Sequence, residues 1–178
     1  MRAYFLNNMY MNGIHNGIQA GHAACRLVKR AYEEPKVGQD QLSSLSHTIR
    51  DLTVDQKEMV KDWAQNHETF VILNGGDSEM MKEHINFIIN ANLPFELFFE
   101  PGIDNALTSI CIIVPPRLYE VENWRNLSTR EEIKNSIPKM NFFDKLMFKP
   151  IFEPPRASDL TDDEILFIRR LKACPLAK

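Results

Sequence analysis

The sequence predicts an α/β fold, a three-layer sandwich in which a mixed four-stranded sheet carries helices on both faces. Two observations predict it. Four short runs rich in β-branched and aromatic residues alternate with segments whose apolar residues recur at helical spacing. Long connections separate the first runs, and right-handed crossovers would place such connections on the faces of a sheet. The chain of 178 residues is long enough for one such domain and an appendage.

The first predicted strand covers residues 2–7, with aromatic and aliphatic residues at its centre. A loop from Asn7 to Asn16 follows, because Asn-Gly and other glycine steps are typical of turns. The first helix then continues to about Glu33.

This first helix is predicted to have one polar and one apolar face. His15, Gln19 and His22 fall at i, i+4 and i+7, so they share one face near its beginning. The opposite face is expected to pack against the sheet, and it consists of Ile18, Cys25, Leu27, Val28 and Ala31. A polar, titratable face at the start of the first helix is the strongest functional signal in the chain.

The central part of the chain supplies the remaining strands. Residues 34–52 are predicted to be a surface loop, and a capping box at Thr53 and Gln56 begins a second helix, with Met59, Val60 and Trp63 as its buried side. A β-branched run then predicts a strand at 69–73, followed by a turn at 74–76. A third helix is predicted to begin after a cap at Asp77 or Ser78 and to end at residues 92–94. The last predicted elements are a strand at 95–99, a polar loop at 100–105 and a strand at 108–114.

Residues 117–178 differ from the preceding part, and we expect a C-terminal extension, irregular and helical, packed on the body or on a partner. Prolines interrupt a stretch that contains Phe142, Phe143, Phe148 and Phe152, which is too aromatic for a disordered tail. Capping boxes are predicted at 128–131 and at 161–164, and the second begins a short helix. The predicted domains are therefore 1–116 and 117–178.

Composition and charge exclude several classes of protein. Hydrophobic residues make up 44% and charged residues 25%, as in ordinary globular proteins. A formal net charge of -3 argues against nucleic-acid binding over the whole surface, so no DNA partner is predicted, although a local basic patch is compatible with it.

The three cysteines form no CxxC pair, so we expect no metal site. Cys25 and Cys111 are predicted to be small buried thiols. Unpaired thiols and the lack of a bilayer-length apolar run predict a cytoplasmic protein without a membrane partner.

The stretch 11–24 combines a glycine-containing loop, small residues, a glutamine and a His-Ala-Ala step. Gln19 and His22 are three positions apart, and Ala23-Ala24 follow directly. The stretch resembles the loop-and-helix signature of the type 2 peptidyl-tRNA hydrolases.

Two further blocks extend the resemblance over residues 1 to about 116. A strand, a helix and a Leu93-Pro94 step before the next strand keep the spacing of that family. Glu100-Pro101-Gly102 stands in the place of its Asp-Ala-Gly, and the final strand opens with Thr108-Ser109. Three linked blocks in the same order favour the fold of that family.

The resemblance implies hydrolysis of the ester that joins a peptide to the terminal ribose of tRNA. The candidate catalytic residues are His15, Gln19, His22, Glu100, Thr108 and Ser109. His22 is the candidate base, because histidine exchanges protons near working pH, and Glu100 is the carboxylate that would orient it. Either Thr108 or Ser109 would bind the carbonyl or the water. His15 stands where the family has a lysine.

The resemblance also implies partners. Arg26, Lys29 and Arg30 form a basic stripe that would contact the tRNA backbone, although such a stripe is also typical of a solvated face. Helix-start amides near Gly17 would help to bind an oxyanion or a phosphate. A homodimer is implied, and neither cofactor nor metal is predicted. The alternative keeps the fold without the chemistry: a tRNA-, RNA- or protein-binding module whose partner surface is the extension 117–178.

Overall fold

The computed structural model describes residues 1–33, 51–121, 127–129, 132 and 160–177. The strands are β1 (Arg2–Asn8), β2 (Phe70–Gly76), β3 (Phe95–Glu100) and β4 (Ala106–Val114). The helices described are α1 (Gly13–Tyr32), α2 (Val54–Asn66), α3 (Ser78–Asn90), α4 (Pro116–Tyr119) and α5 (Asp162–Ala173), and a 3₁₀ turn, Pro101–Ile103, joins β3 to β4. The predicted elements of the body are all present within a few residues of their predicted bounds.

The four strands form one mixed sheet in the order β2-β1-β4-β3. β1 and β2 are parallel, whereas β4 is antiparallel to both β1 and β3. β1, β2 and β3 therefore run in the same direction, so their carboxyl ends and the start of β4 meet at one edge of the sheet. In open α/β sheets that edge is the usual place for a binding site.

Helices cover both faces, so the predicted three-layer sandwich is confirmed. Alternation along β1 sends Ala3 and Phe5 into one core, where α1 and α2 pack, and Tyr4 and Leu6 into the other. The second core is filled by α3 and α5, and Ile88 and Ile165 are fully buried in it. Residues 160–173 thus pack on the body of the protein.

Two of the predicted capping boxes are confirmed. Thr53 accepts from the backbone of Gln56 at 3.2 Å, and the Gln56 side chain accepts from the backbone of Thr53 at 3.1 Å. The same reciprocal pair joins Thr161 and Glu164 at the start of α5. Each pair satisfies amides at a helix start, which explains why both boundaries were predictable from the sequence. Val60 and Trp63 are buried as expected in α2, and Met59 is half-buried.

The capping box predicted at Ser128 and Glu131 is wrong by one residue. The reciprocal hydrogen bonds join Thr129 and Glu132, at 2.9 and 3.3 Å. Both registers satisfy the sequence motif, and a distant contact favours the observed one, because the Glu132 carboxylate also accepts two hydrogen bonds from Arg169 of α5.

The predicted faces of α1 need correction. The helix begins at Gly13, capped by Asn12, and not after Asn16. Its buried side consists of four alanines, one leucine and two carboxamides, namely Asn16, Gln19, Ala20, Ala23, Ala24, Leu27 and Ala31. Ile18 and Cys25, both expected in the core, are exposed. The reason is that the polar carboxyl edge of the sheet lies under the first turns of α1, which therefore present amides to it.

The turn predicted at 74–76 is also wrong, since these residues complete β2. Gly75 lies so close to β1 that a Cβ atom would stand 3.1 Å from the Cβ of Leu6 and 3.2 Å from the carbonyl oxygen of Asn7. Because Gly75 has no side chain, β1 and β2 stay paired through residues whose types are typical of a turn. Gly76 has a φ of 84°, a conformation that ends the strand.

The C-terminal segment runs along the outer edge of β2. The Asn74 N–H donates to the carbonyl of Pro175 at 2.8 Å, and the Ala177 N–H donates to that of Ile72 at 3.1 Å. Phe142, Phe143, Phe148 and Phe152 of the predicted extension lie outside the described residues, as does most of the loop 34–52. Within the described ranges, no helix has the length and apolar character needed to cross a bilayer.

Candidate functional site

A chain of hydrogen bonds joins three of the predicted site residues at the carboxyl edge of the sheet. The Thr108 hydroxyl donates to Gln19 Oε1 at 2.7 Å, and Gln19 Nε2 donates to Glu100 Oε2 at 2.8 Å. The three residues come from the start of β4, the second turn of α1 and the end of β3. Gln19 is therefore held at both ends of its amide, and its orientation is fixed.

A β-bulge positions the two hydroxyl residues. Phe98 pairs with Ser109 and Phe99 pairs with Leu107, which leaves Thr108 as the extra residue. Ser109 lies opposite Asn7 on β1 and, like Thr108, is fully buried. The structure therefore separates the two alternatives: Thr108 contacts Gln19, whereas the Ser109 hydroxyl has no hydrogen-bond partner among the described residues.

Glu100 carries the charge of this site. Its Oε2 accepts from Gln19 and its Oε1 accepts from the Gly102 N–H at 3.2 Å. The Gln19 hydrogen bond foremost, then that of Gly102, and the positive charge of His22 and Arg26 hold the pKa of Glu100 below its ordinary value. The carboxylate is thus ionised at neutral pH, accessible to solvent, and fixed by two donors.

His22 lies next to this charge on the exposed side of α1. Its ring stacks on Phe98 of β3, with the centroids 4.8 Å apart and the planes 15° apart. Arg26, one turn further along α1, places its guanidinium carbon 4.5 Å from the centre of the same ring. Phe98 therefore fixes the plane of the candidate base and holds a cation beside it. No hydrogen bond joins His22 to Glu100 in the described part of the chain; the two interact through charge.

The remaining candidates of the first helix take different positions. His15 lies within the first turns of α1, with an exposed side chain, and its backbone N–H donates to Asn12 Oδ1 at 3.4 Å. None of its described contacts links it to Gln19 or Glu100. Gly17 is inside the helix and not at its start, so the free amides of the N-terminus belong to residues earlier than those expected.

The predicted basic stripe divides into two parts. Arg26 and Lys29 are exposed, and Lys29 forms a loose ion pair with Glu33 at 3.8 Å. Arg30 is directed to β3, where it pairs with the largely buried carboxylate of Glu96 and donates to the Phe95 carbonyl at 3.1 Å. Burial raises the pKa of Glu96, and the Arg30 charge opposes that shift. Arg30 therefore fixes the end of α1 to the sheet, and its charge is paired with that of Glu96 within the protein.

Two features of this region were not predicted. The strand pattern identifies Phe98 as a strand residue and does not predict that its ring contacts both His22 and Arg26. The carboxamides that end the first two strands, including Asn7 and Asn74, were not assigned a role, although two polar residues directly after a buried strand are a signal for a functional edge. Among the described residues, no group of three or more His, Cys, Asp and Glu side chains is placed to hold a metal ion.

Comparisons with known proteins supply no family for this chain. No family model matches it, and no curated protein matches it.

Proposed function

We propose that the protein hydrolyses the ester bond of peptidyl-tRNA, which releases the peptide and the tRNA. The observation that carries this proposal is the hydrogen-bonded chain from Thr108 through Gln19 to Glu100. The sequence resemblance implied these residues as parts of one site, although 81 positions separate Gln19 from Glu100 along the chain. Their convergence beside His22 supports the proposal.

His22 is proposed as the general base. It takes a proton from the water that attacks the ester carbonyl, and an imidazole ring is suited to this exchange near neutral pH. Phe98 holds its plane, which limits the orientations from which the ring meets the water. Glu100 supplies a fixed negative charge that stabilises the imidazolium formed in this step.

Gln19 and Thr108 are proposed as positioning residues. Both are buried, so neither reaches the substrate directly. Their hydrogen bonds fix one oxygen of the Glu100 carboxylate, and the Gly102 amide fixes the other. A carboxylate held in this way needs little reorganisation when positive charge develops next to it, which is the electrostatic contribution expected of an enzyme site.

Arg26 and Lys29 are proposed to contact the tRNA backbone. Both are exposed on α1, on the same helix as the candidate base. Arg30 is omitted from this surface because Glu96 neutralises it. A homodimer and a cytoplasmic location stay predictions of the sequence.

Turnover tests the proposal directly. Purified protein is incubated with N-acetyl-phenylalanyl-tRNA, and release of N-acetyl-phenylalanine is compared with that in buffer. We expect catalytic release, and we expect a loss of about a hundredfold or more in His22→Ala, the size of a general-base contribution. No release by a protein that is folded by circular dichroism would overturn the proposal. Normal turnover in His22→Ala would reject His22 as the base.

A second candidate, binding of tRNA or other RNA without hydrolysis, is favoured by one observation. Gln19 and Thr108 are buried and bonded to each other, and the exposed part of the site is a stacked histidine beside an arginine, an arrangement that also suits RNA binding without chemistry. This candidate predicts that the protein retains tRNA at low salt and leaves the ester intact. The same turnover assay, combined with a filter-binding measurement, separates the two.

A further inference from the structure

Three asparagines of the chain are followed directly by glycine: Asn12, Asn16 and Asn74. In such a pair the backbone nitrogen of the glycine can attack the side-chain amide carbon of the asparagine, and the lack of a side chain on glycine makes the approach easy. The reaction requires an accessible carboxamide, a glycine N–H without another partner, and a backbone that is free to rotate. The three pairs differ in each of these respects.

The pair Asn12–Gly13 lies on the surface at the start of α1. Both residues are exposed, and among the described residues nothing beyond their own helix lies within 4 Å of the position that a Cβ atom would take at Gly13. Gly13 is the first residue of the helix, so its N–H has no partner within the helix, and no described group accepts from it. The Gly13 nitrogen is therefore available to attack the Asn12 carboxamide.

The Asn12 side chain is held loosely. Its Oδ1 accepts from the His15 N–H at 3.4 Å, longer than the usual N–H···O distance of about 2.9 Å. Ring closure requires Asn12 to leave its extended ψ of 173°, and this rotation opens only the first turn of α1. Terminal turns open at little cost in free energy, and a glycine at the first helical position lowers that cost further.

The pair Asn16–Gly17 is protected inside the same helix. Asn16 is buried, its Nδ2 donates to the Met11 carbonyl at 3.3 Å, and its Oδ1 accepts from Asn7 at 3.1 Å. Gly17 lies in the second turn, where helix geometry directs its N–H to the carbonyl four residues earlier. Attack at Asn16 would require all of these bonds to break together.

The pair Asn74–Gly75 is protected by the sheet. Asn74 Oδ1 accepts from the Gly76 N–H, and the Asn74 N–H donates to the Pro175 carbonyl, both at 2.8 Å. Gly75 is buried against β1. Rotation of this backbone would break the pairing of β2 with the C-terminal segment. The sequence makes the three pairs equivalent, whereas the structure leaves one of the three open.

We infer that Asn12 is a site of spontaneous modification, which converts the cap of α1 into aspartate and isoaspartate. The Gly13 nitrogen forms a bond to Asn12 Cγ and gives up its proton, and the side-chain nitrogen takes that proton and leaves as ammonia. Water then opens the resulting succinimide ring. Opening at the side-chain carbonyl gives aspartate, and opening at the backbone carbonyl gives isoaspartate, in which the chain continues through the former side chain.

The two products have opposite effects on α1. Aspartate keeps an acceptor for the His15 N–H and places a negative charge at the helix start, which the helix dipole favours. Isoaspartate lengthens the backbone by one methylene and moves the acceptor away from the amides that it caps. Gln19 is held by Thr108 and Glu100 and not by the cap, so the damage should be confined to the first turn.

Peptide mapping of the full chain tests the inference, and it involves neither tRNA nor hydrolysis of an ester. The protein is incubated in mildly alkaline buffer, and mass spectrometry with fragmentation locates each amide that has become a carboxyl group. We expect conversion at Asn12 to be at least about tenfold faster than at Asn16 or Asn74, because each additional hydrogen bond that must break slows the attack. Absence of conversion at Asn12, or equal rates at the three asparagines, would overturn the inference.

Two matched variants test the role of Gly13. Gly13→Ala should slow conversion at Asn12 at least about fivefold, because alanine favours the closed helical turn and hinders the attack. Gly17→Ala makes the same change one turn further along, where the space for a Cβ is equally open, and should leave the rate at Asn12 unchanged. Equal rates in Gly13→Ala and the wild type would overturn the proposed attack by the Gly13 nitrogen.

The effect on the helix is measured on the modified protein itself. Isoaspartate is identified by labelling with an isoaspartyl carboxyl methyltransferase, and hydrogen exchange is compared between modified and unmodified chains. The Asn16 N–H, which donates to the Asn12 carbonyl at 2.8 Å, should exchange faster in the isoaspartate form and not in Asn12→Asp. Equal exchange in the isoaspartate form and the unmodified protein would overturn the loss of the cap.

Discussion

Thr108 and Ser109 are adjacent and equally buried hydroxyl residues, yet within the described ranges only the Thr108 hydroxyl has a hydrogen-bond partner. The Thr108 hydroxyl donates to Gln19 and also lies 3.2 Å from the Phe98 carbonyl. The Ser109 hydroxyl meets no partner among the described residues. The two positions are therefore a matched pair in which loss of a hydroxyl should have opposite consequences.

We predict that Thr108→Val lowers the free energy of unfolding by about 1–3 kcal/mol, because it leaves the buried oxygen of Gln19 without a donor. Ser109→Ala should change that free energy by less than about 0.5 kcal/mol or increase it slightly, since an unsatisfied hydroxyl is removed. Urea denaturation of both variants measures the difference. A larger loss in Ser109→Ala than in Thr108→Val would contradict the assignment of the Gln19 partner.

Glu100 offers a second test at the scale of one residue. In Glu100→Gln the site loses the negative charge that would stabilise an imidazolium, and we expect kcat/KM to fall about a hundredfold. Glu100→Asp keeps the charge on a shorter stem and should retain more activity than Glu100→Gln. Because the carboxylate is open to solvent, the thermal midpoint should change little in either variant. Equal activity in the amide variant and the wild type would show that Glu100 has no part in the proposed mechanism.

At the scale of elements, α5 is attached to α3 through a buried histidine. His84 is 2% exposed; its Nε2 is 3.2 Å from the Gly75 carbonyl, and its Nδ1 accepts from Arg170 of α5 at 3.4 Å. Burial chiefly, and then the Arg170 charge, lower the pKa of His84, while the Gly75 carbonyl and Glu83 oppose the shift. The Cys174 thiol, 3.9 Å away, completes the group around the ring. The hydrogen bonds of this arrangement need a neutral imidazole.

The lowered pKa predicts a loss of stability in mild acid. The unfolded chain binds a proton at this histidine below about pH 6.5, whereas the folded chain does not until its lower pKa is reached. The stabilisation is thus fully present above about pH 6.5 and is lost as the pH falls, with a slope of at most about 1.4 kcal/mol per pH unit. Carboxylates whose pKa is lowered, such as Glu164, affect the pH dependence of stability at a lower pH than this histidine does.

His84→Gln isolates this effect, because glutamine does not titrate. We expect the free energy of unfolding of the variant, measured in urea at several pH values, to depend less on pH between 7 and 5 than that of the wild type. An identical dependence in the two proteins would show that another group is responsible.

At the scale of the whole molecule, a formal net charge of -3 must be reconciled with the polyanionic substrate that we propose. Exposed cations on α1, Arg26 and Lys29, would have to act as a local patch on an acidic body. Binding of tRNA should then be weak and sensitive to salt, since each neutralised phosphate releases counterions.

We predict that Arg26→Ala combined with Lys29→Ala lowers tRNA affinity and reduces the slope of log K against log salt by about one to two, according to how many phosphates the two side chains neutralise. Lys82→Ala removes a cation of α3, on the other face of the sheet, and should leave the slope unchanged. Filter binding from low to moderate salt gives both slopes. Equal slopes in the double variant and the wild type would place the tRNA surface elsewhere.

Much of this architecture could be predicted from short stretches of sequence. The strand runs, the helical spacing and the capping boxes at Thr53 and Thr161 depend on interactions within a few residues, and the structure has them where the sequence predicts them. The sequence also determined which residue types stand at the carboxyl edge of the sheet, including Gln19, Glu100 and Thr108. Interactions between residues close in the sequence determine these features.

Only the tertiary structure decided what these residues do to one another. The polar strand ends beneath α1 turned Gln19 inward, a bulge selected Thr108 over Ser109, and Glu96 neutralised Arg30. Each outcome depends on partners that lie 66 to 89 positions apart in the chain, or on the pairing of two strands. The periodicity of a single segment carries no information about such partners, because burial of a polar group becomes favourable only when a distant group supplies its hydrogen bond.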